Sequence, residues 1–151
     1  MKTYKHAGCS AFDMELFEPI LNNPYFTKPH GGLWASDINS THSWSKWCTS
    51  EQFQCQRLEI YFLFTLSENA RVCTIDSMEK FNAIAKEFAM HPQPENLGIF
   101  GAVALDFEKL ATQYDAIEVI LSEDYHLLNQ AFPCWDCDSL LVFNPDVVVP
   151  V

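Results

Sequence analysis

Short helical and strand segments follow one another in an irregular order along the sequence. The sequence does not alternate strictly between strand and helix, so it favours an α+β fold rather than a doubly wound parallel sheet. The turn at 67–69 is expected to join two of the strands as a hairpin. Apolar spacing predicts helices over 12–21, 40–53, 76–88, 106–114 and 124–132, and strands over 33–36, 58–66, 71–75, 116–121 and 139–143, the last of which closes the chain.

Length and composition favour one domain spanning residues 1–151. The chain has 151 residues, of which 48% are hydrophobic. A chain of this length hides about 70% of its unfolded surface on folding, so it can build a core without metal ions or disulfide bonds. The composition excludes an intrinsically disordered protein.

The net charge is strongly negative. Nine Lys and Arg residues oppose twenty Asp and Glu residues, which gives a formal net charge of −11. This charge repels phosphate backbones, so nucleic acid is not expected as a partner unless a basic groove forms around Lys28, Lys46 and Arg57. It also permits an alternative function, a non-catalytic acidic protein that mimics nucleic acid or binds a basic protein. The carboxylates are dispersed, and solvated faces explain them more simply.

No run of about 18 apolar residues is present, and the N-terminal residues lack an apolar stretch of signal-peptide length. We therefore expect a cytoplasmic protein with no membrane contact and with its six cysteines reduced. Cys134 and Cys137 have redox or zinc spacing, but they follow a predicted helix instead of opening one. Cys48 and Cys55 form a poor second ligand pair. We interpret the cysteines as buried or bystander thiols and expect no metal site.

The motifs of several common enzyme classes are absent from the sequence. It contains no Walker loop, G-x-G-x-x-G, H-E-x-x-H or G-x-S-x-G pattern. Common nucleoside triphosphate and zinc-protease chemistry therefore has no support. Among five scattered histidines, only His6 has a notable neighbourhood.

Three regions of the chain, at 4–10, 28–48 and 136–145, resemble parts of the ADP-ribosyltransferase and poly(ADP-ribose) polymerase superfamily. YKHAGCS at 4–10 places a histidine close to a glycine and a serine, similar to the family's first strand. KPHGGLWAS at 28–36 is similar to the glycine-rich turn and strand that follow, and SWSKWC at 43–48 is similar to the next helix. DCDSLLVFNP at 136–145 is similar to the closing strand, and the segments occur in the family's order.

This resemblance implies a split, mostly antiparallel sheet flanked by short helices. It implies transfer of ADP-ribose from NAD to an unidentified protein or small-molecule acceptor, with release of nicotinamide. The family's catalytic glutamate would fall near Asp138 or Ser139, where no glutamate is present. Asp138 or Asp136 would then supply the carboxylate, with Glu118 on the preceding strand as the alternative, and His6 is also implied in catalysis. The residues implied to hold NAD are His6, Gly8, Ser10, Gly32, Trp34, Ser36 and Trp44.

The sequence departs from the family pattern at two further points. Ala7 lies between His6 and Gly8, and Trp34 stands where a tyrosine is usual. Trp34 would nevertheless provide an aromatic plate for nicotinamide, while His6 and the backbone beside Gly8 would fix the ribose and carboxamide. Ser36 would orient the ribose or the acid.

The chemistry explains why a carboxylate is needed. Cleavage of the glycosidic bond of NAD develops positive charge on the ribose, which a buried carboxylate stabilises. Each candidate residue also has a simpler interpretation, because tryptophans pack in cores and aspartates cap turns. A third hypothesis is a related fold that binds a nucleotide or a partner without catalysis.

Overall fold

The computed structural model describes residues 1–95, 97 and 102–151, and one seven-stranded sheet organises this part of the chain. The elements are β1 (Tyr4–Ala7), β2 (Leu33–Asp37), α1 (Trp44–Glu51), β3 (Tyr61–Leu66), β4 (Val72–Ile75), α2 (Met78–Phe88), α3 (Phe107–Gln113), β5 (Ala116–Val119), α4 (Tyr125–Ala131), β6 (Ser139–Val142) and β7 (Val148–Pro150). The strand order is β4-β5-β6-β2-β1-β3-β7. Only β4 and β5 pair in parallel among the described strands. The predicted α+β class, with a mostly antiparallel sheet, is confirmed, but the seven strands form one sheet and not the expected split sheet.

The two faces of the sheet carry different parts of the hydrophobic core. Side chains alternate between faces along each strand, so Leu140 shares a face with its cross-strand neighbour Ala35, and Leu141 shares the other face with Ile117. The Leu141 face packs against the apolar sides of α2, α3 and α4. On the Leu140 face, the buried core is formed mostly by side chains of the strands. This cluster consists of Tyr4, Leu33, Ala35, Phe62, Phe64, Leu66, Ala116, Leu140, Val142, Val147 and Val148.

Side-chain caps fix where two of the helices begin. The Ser77 hydroxyl accepts a hydrogen bond from the Lys80 amide at the start of α2, and Asp106 accepts one from the Lys109 amide at the start of α3. Helices are confirmed within four of the five predicted segments. None of the four helices in the described ranges has the length and apolar character needed to cross a membrane.

The helix predicted over 12–21 is wrong. Only Met14–Leu16 forms a single 3-10 turn, with Asp13 accepting a hydrogen bond from the Glu15 amide at 2.9 Å. Pro19 has no N–H to continue a helix, and it disfavours helical geometry in the residue before it. Leu21 instead forms an antiparallel bridge with His30.

The hairpin predicted across 67–69 is also wrong. β3 lies between β1 and β7, whereas β4 lies at the opposite edge of the sheet and pairs with β5. The Arg71 carbonyl accepts a hydrogen bond from the Asp115 amide at 2.8 Å, which joins the starts of β4 and β5. Nor does the strand over 139–143 close the chain, because β7 follows and pairs with β3.

Candidate functional site

A cleft opens where β1 and β2 separate. The two strands pair at Tyr4 with Asp37 and at Lys5 with Ser36. At the next residue, Nδ1 of His6 lies 2.7 Å from the carbonyl oxygen of Trp34, so a side chain takes the place of a ladder hydrogen bond. The adjoining cleft has a volume of about 240 Å³ and takes its lining from β1, β2, the start of α1 and the segments preceding β2 and β6.

The cleft is locally cationic although the whole chain is acidic. Lys5 and Lys28 line it, and Asp136 is the one carboxylate among its described lining residues. Trp34 and Trp44 add aromatic surface. This combination suits a ligand that carries both a planar ring and negative charge, because ammonium groups pair with anions and indoles stack on rings.

Ser36 connects three of the elements around the cleft. Its hydroxyl donates to the Asp138 carbonyl at 2.7 Å and accepts from the Trp44 amide at 3.0 Å. The side chain is buried. Ser36 therefore fixes the start of α1, with Trp44, against β2 and the segment entering β6.

The structure brings Asp136 together with His6 and Trp34 and places Asp138 elsewhere. Asp136 is half-buried and lines the cleft. The Asp138 carboxylate lines a second cavity, of about 300 Å³. There it accepts hydrogen bonds from the Ser40 and Ser122 hydroxyls, each at 2.7 Å, and from the Ser122 amide at 2.9 Å. These three donors hold the Asp138 carboxylate away from Trp34.

Cys137 and Ser139 lie on the cleft side of the segment that contains Asp138. Their Sγ and Oγ atoms are 3.6 Å apart, and both residues line the cleft. Burial raises the pKa of the Cys137 thiol, which keeps it protonated. The Ser139 hydroxyl donates to the Cys137 carbonyl at 2.9 Å, so a neutral group faces the cleft at the start of β6.

Glu118 lies on the face of the sheet opposite Trp34. It pairs across with Leu140, whereas Trp34 pairs with Leu141. Its carboxylate accepts hydrogen bonds from Lys2 at 2.7 Å and Tyr4 at 3.1 Å in the second cavity. Burial, together with the neighbouring Glu118 charge, raises the pKa of the Tyr4 hydroxyl.

Gly8, Ser10 and Gly32 lie outside the set of described residues that line the cleft. The Gly8 amide donates to the Ile60 carbonyl at 2.7 Å just beyond β1, and Ser10 is exposed. Gly32 has a φ of +67°, and a Cβ there would lie 2.6 Å from Leu141 Cδ1. Its lack of a side chain allows the start of β2 to pack closely on β6.

Sequence reasoning assigned no cleft role to Lys5 or Cys137, and it considered Lys28 only as part of a basic groove. The available signals were local, since Lys5 adjoins His6 and Lys28 opens the glycine-rich segment. Cys134 and Cys137 differ in environment, the first being exposed and the second buried, and both are free thiols.

Comparison with known proteins gave no match. No protein-family model matches the chain, and neither does any curated protein or solved structure.

Proposed function

We propose that the cleft beside β1 and β2 binds NAD and that the protein transfers ADP-ribose from NAD to an acceptor, with release of nicotinamide. The observation that carries this proposal is the convergence of His6, Trp34 and Asp136 on one cleft. They come from the three segments that resemble ADP-ribosyltransferases. An ADP-ribosyltransferase-like fold and a cytoplasmic location are parts of the same proposal.

The shape and charge of the cleft support the choice of NAD. Its volume of about 240 Å³ lies below the usual range of ligand-pocket volumes, about 300–1,000 Å³, as expected if only the nicotinamide ribose end is enclosed. Trp34 offers a face for the nicotinamide ring. Lys5 and Lys28 supply the positive charge that a pyrophosphate group requires.

In the proposed reaction, the bond between the ribose C1′ and the nicotinamide nitrogen breaks, and its electron pair leaves with nicotinamide. The Asp136 carboxylate stabilises the positive charge that develops on the ribose. A nucleophile on the acceptor then forms a bond to C1′ and loses its proton to solvent. The acceptor is a protein or small molecule, because the acidic chain disfavours bare nucleic acid.

A second candidate function is binding of a basic partner without catalysis. The second cavity carries four carboxylates against one ammonium group, which favours a cationic ligand. These charged residues are Asp37, Glu118, Glu123, Asp138 and Lys2.

Calorimetric titration with NAD tests the proposal, using the wild-type protein and Trp34→Leu. Tyr125→Leu is the matched control, because Tyr125 is an exposed aromatic residue on α4. We expect wild type and Tyr125→Leu to bind NAD with equal affinity, and Trp34→Leu to bind it about tenfold more weakly through loss of ring stacking. Absence of NAD binding to the wild type overturns the proposal. Binding without nicotinamide release in the presence of a cell lysate overturns its catalytic part.

A further inference from the structure

Lys28 covers the aromatic surface that the proposed function assigns to nicotinamide. Its Nζ atom lies 4.7 Å from the centroid of the Trp34 ring, a cation–π distance. The same ammonium group donates to the Cys134 carbonyl at 3.4 Å. Lys28 therefore extends from the segment before β2 towards the segment before β6.

The neighbouring residue anchors this arrangement. The Thr27 hydroxyl donates to the Pro133 carbonyl at 2.8 Å, and the Thr27 side chain is buried. The two segments are therefore tied together next to Lys28. This contact fixes the backbone beside Lys28, and the four-carbon Lys28 side chain is flexible enough to carry its ammonium to a new partner.

A ligand ring that stacks on the Trp34 surface beneath Lys28 must displace the Lys28 ammonium. Trp135 is buried and packs against Trp34, with ring centroids 4.8 Å apart. Trp34 and Lys28 both line the cleft, and the Lys28 ammonium lies over the Trp34 ring. Displacement costs the cation–π contact unless the ligand replaces the positive charge.

We propose that the Lys28 ammonium leaves Trp34 and pairs with the pyrophosphate when NAD+ binds, an inference that rests on the proposed function. The cationic nicotinamide ring replaces the ammonium group on Trp34, and the released ammonium pairs with the pyrophosphate. The Lys28 ammonium thereby exchanges the Trp34 ring for the pyrophosphate as its partner. NADH has a neutral dihydronicotinamide ring, so it displaces the ammonium without restoring the cation–π contact.

The exchange predicts effects of opposite sign for two ligands. Nicotinamide riboside carries the same cationic ring as NAD+ but has no phosphate to receive Lys28. Lys28→Met keeps a side chain of similar length and removes the charge. Lys28→Met should strengthen nicotinamide riboside binding, because the competing cation is gone. It should weaken NAD+ binding, because the lost ion pair between the ammonium and the phosphates outweighs this gain.

Calorimetric titration of the wild type, Lys28→Met and Lys86→Met with NAD+, NADH and nicotinamide riboside tests this inference. Lys86 is an exposed lysine on α2 and serves as the charge-matched control. We expect wild type and Lys86→Met to prefer NAD+ over NADH by about tenfold, the upper part of the range for a cation–π contact. In Lys28→Met, we expect NAD+ affinity to fall and nicotinamide riboside affinity to rise, each by about threefold or more.

The outcomes separate the two proposals. No NAD+ binding by the wild type overturns the proposed function and this inference together. NAD+ binding with equal affinity for NADH overturns the inference alone. The inference is equally overturned if Lys28→Met shifts NAD+ and nicotinamide riboside in the same direction or leaves either affinity unchanged.

Discussion

Nδ1 of His6 lies 2.7 Å from the carbonyl oxygen of Trp34, at the point where β1 and β2 cease to pair. The imidazole satisfies this carbonyl while the strands separate. The ring also packs on Phe62, with centroids 5.1 Å apart. The His6 side chain thus supports the edge of the cleft. It also provides a hydrogen-bond partner for the Trp34 carbonyl beyond the last paired residues of β1 and β2.

We predict that His6→Ala lowers the free energy of unfolding by about 1 kcal/mol, the usual net contribution of one hydrogen bond. It should also weaken NAD binding, because the Trp34 carbonyl loses its partner. Urea denaturation and calorimetric titration measure the two effects. His126→Ala, at an exposed position on α4, should leave both unchanged. A His6→Ala protein with wild-type stability and affinity would show that the contact has no supporting role.

The hydroxyl of Ser36 provides a second stability test. Ser36→Ala leaves the Trp44 amide and the Asp138 carbonyl without this partner. We predict a loss of about 2 kcal/mol in the free energy of unfolding, as expected for buried groups left unpaired. Ser50→Ala, at an exposed position on α1, should change it by less than about 0.5 kcal/mol. Equal denaturant midpoints for the two variants would contradict the prediction.

Alanine substitutions at Gly8 and Gly32 distinguish the cost of backbone strain from the cost of steric overlap. Both have positive φ, at +67° and +107°, but a Cβ on Gly8 meets no atom within 4 Å. A Cβ on Gly32 would lie 2.8 Å from the Val142 carbonyl oxygen, in addition to its overlap with Leu141. Gly8→Ala should therefore cost about 1–2 kcal/mol from strain, and Gly32→Ala should cost clearly more. Thermal denaturation of both variants checks the order, and the reverse order would contradict it.

Asp115 makes stability depend on pH in the acid range. Hydrogen bonds from the Arg71 side chain, at 3.0 and 3.2 Å, are the main cause that lowers the Asp115 pKa to about 2 from its usual value near 3.8. Because the folded-state pKa lies below the unfolded-state value, the unfolded chain takes up the proton first as the pH falls. The stabilisation is complete above about pH 5 and is lost as the pH falls through the folded-state pKa of about 2.

The measurement is the slope of the unfolding free energy against pH between about 4 and 2, for wild type and Asp115→Asn. We predict a shallower slope for the variant, because the amide does not titrate. Asp146→Asn, at an exposed position, should keep the wild-type slope. Identical slopes for wild type and Asp115→Asn would contradict the assignment.

The sequence predicted β2 and α1 because both have a local cause. A glycine-rich turn precedes β2, and polar residues precede the helical spacing of Trp44, Trp47 and Cys48. The sequence did not predict which strand pairs with β4, because the apolar pattern of a strand indicates its length but not the strand beside it. The paired starts of β4 and β5 depend on Arg71 and Asp115, which lie 44 residues apart.

The candidate site was predictable to a similar degree. His6 and Trp34 lie in segments that resemble ADP-ribosyltransferases, so both could be predicted as site residues from the sequence. The choice between Asp136 and Asp138 could not, because both lie in the segment preceding β6, where strand alternation does not yet apply. The hydrogen bonds from Ser40 and Ser122, distant in sequence, settle where the Asp138 carboxylate points.

Nicotinamide release from NAD by the purified protein, with a cell lysate as acceptor source, decides whether the protein transfers ADP-ribose. We predict release by the wild type and by folded Asp138→Asn, because Asp138 lies outside the cleft. Release by folded Asp136→Asn should fall by at least about a hundredfold, as expected when a charge-stabilising group is removed. Undiminished release by Asp136→Asn, or no release by the wild type, would contradict the account.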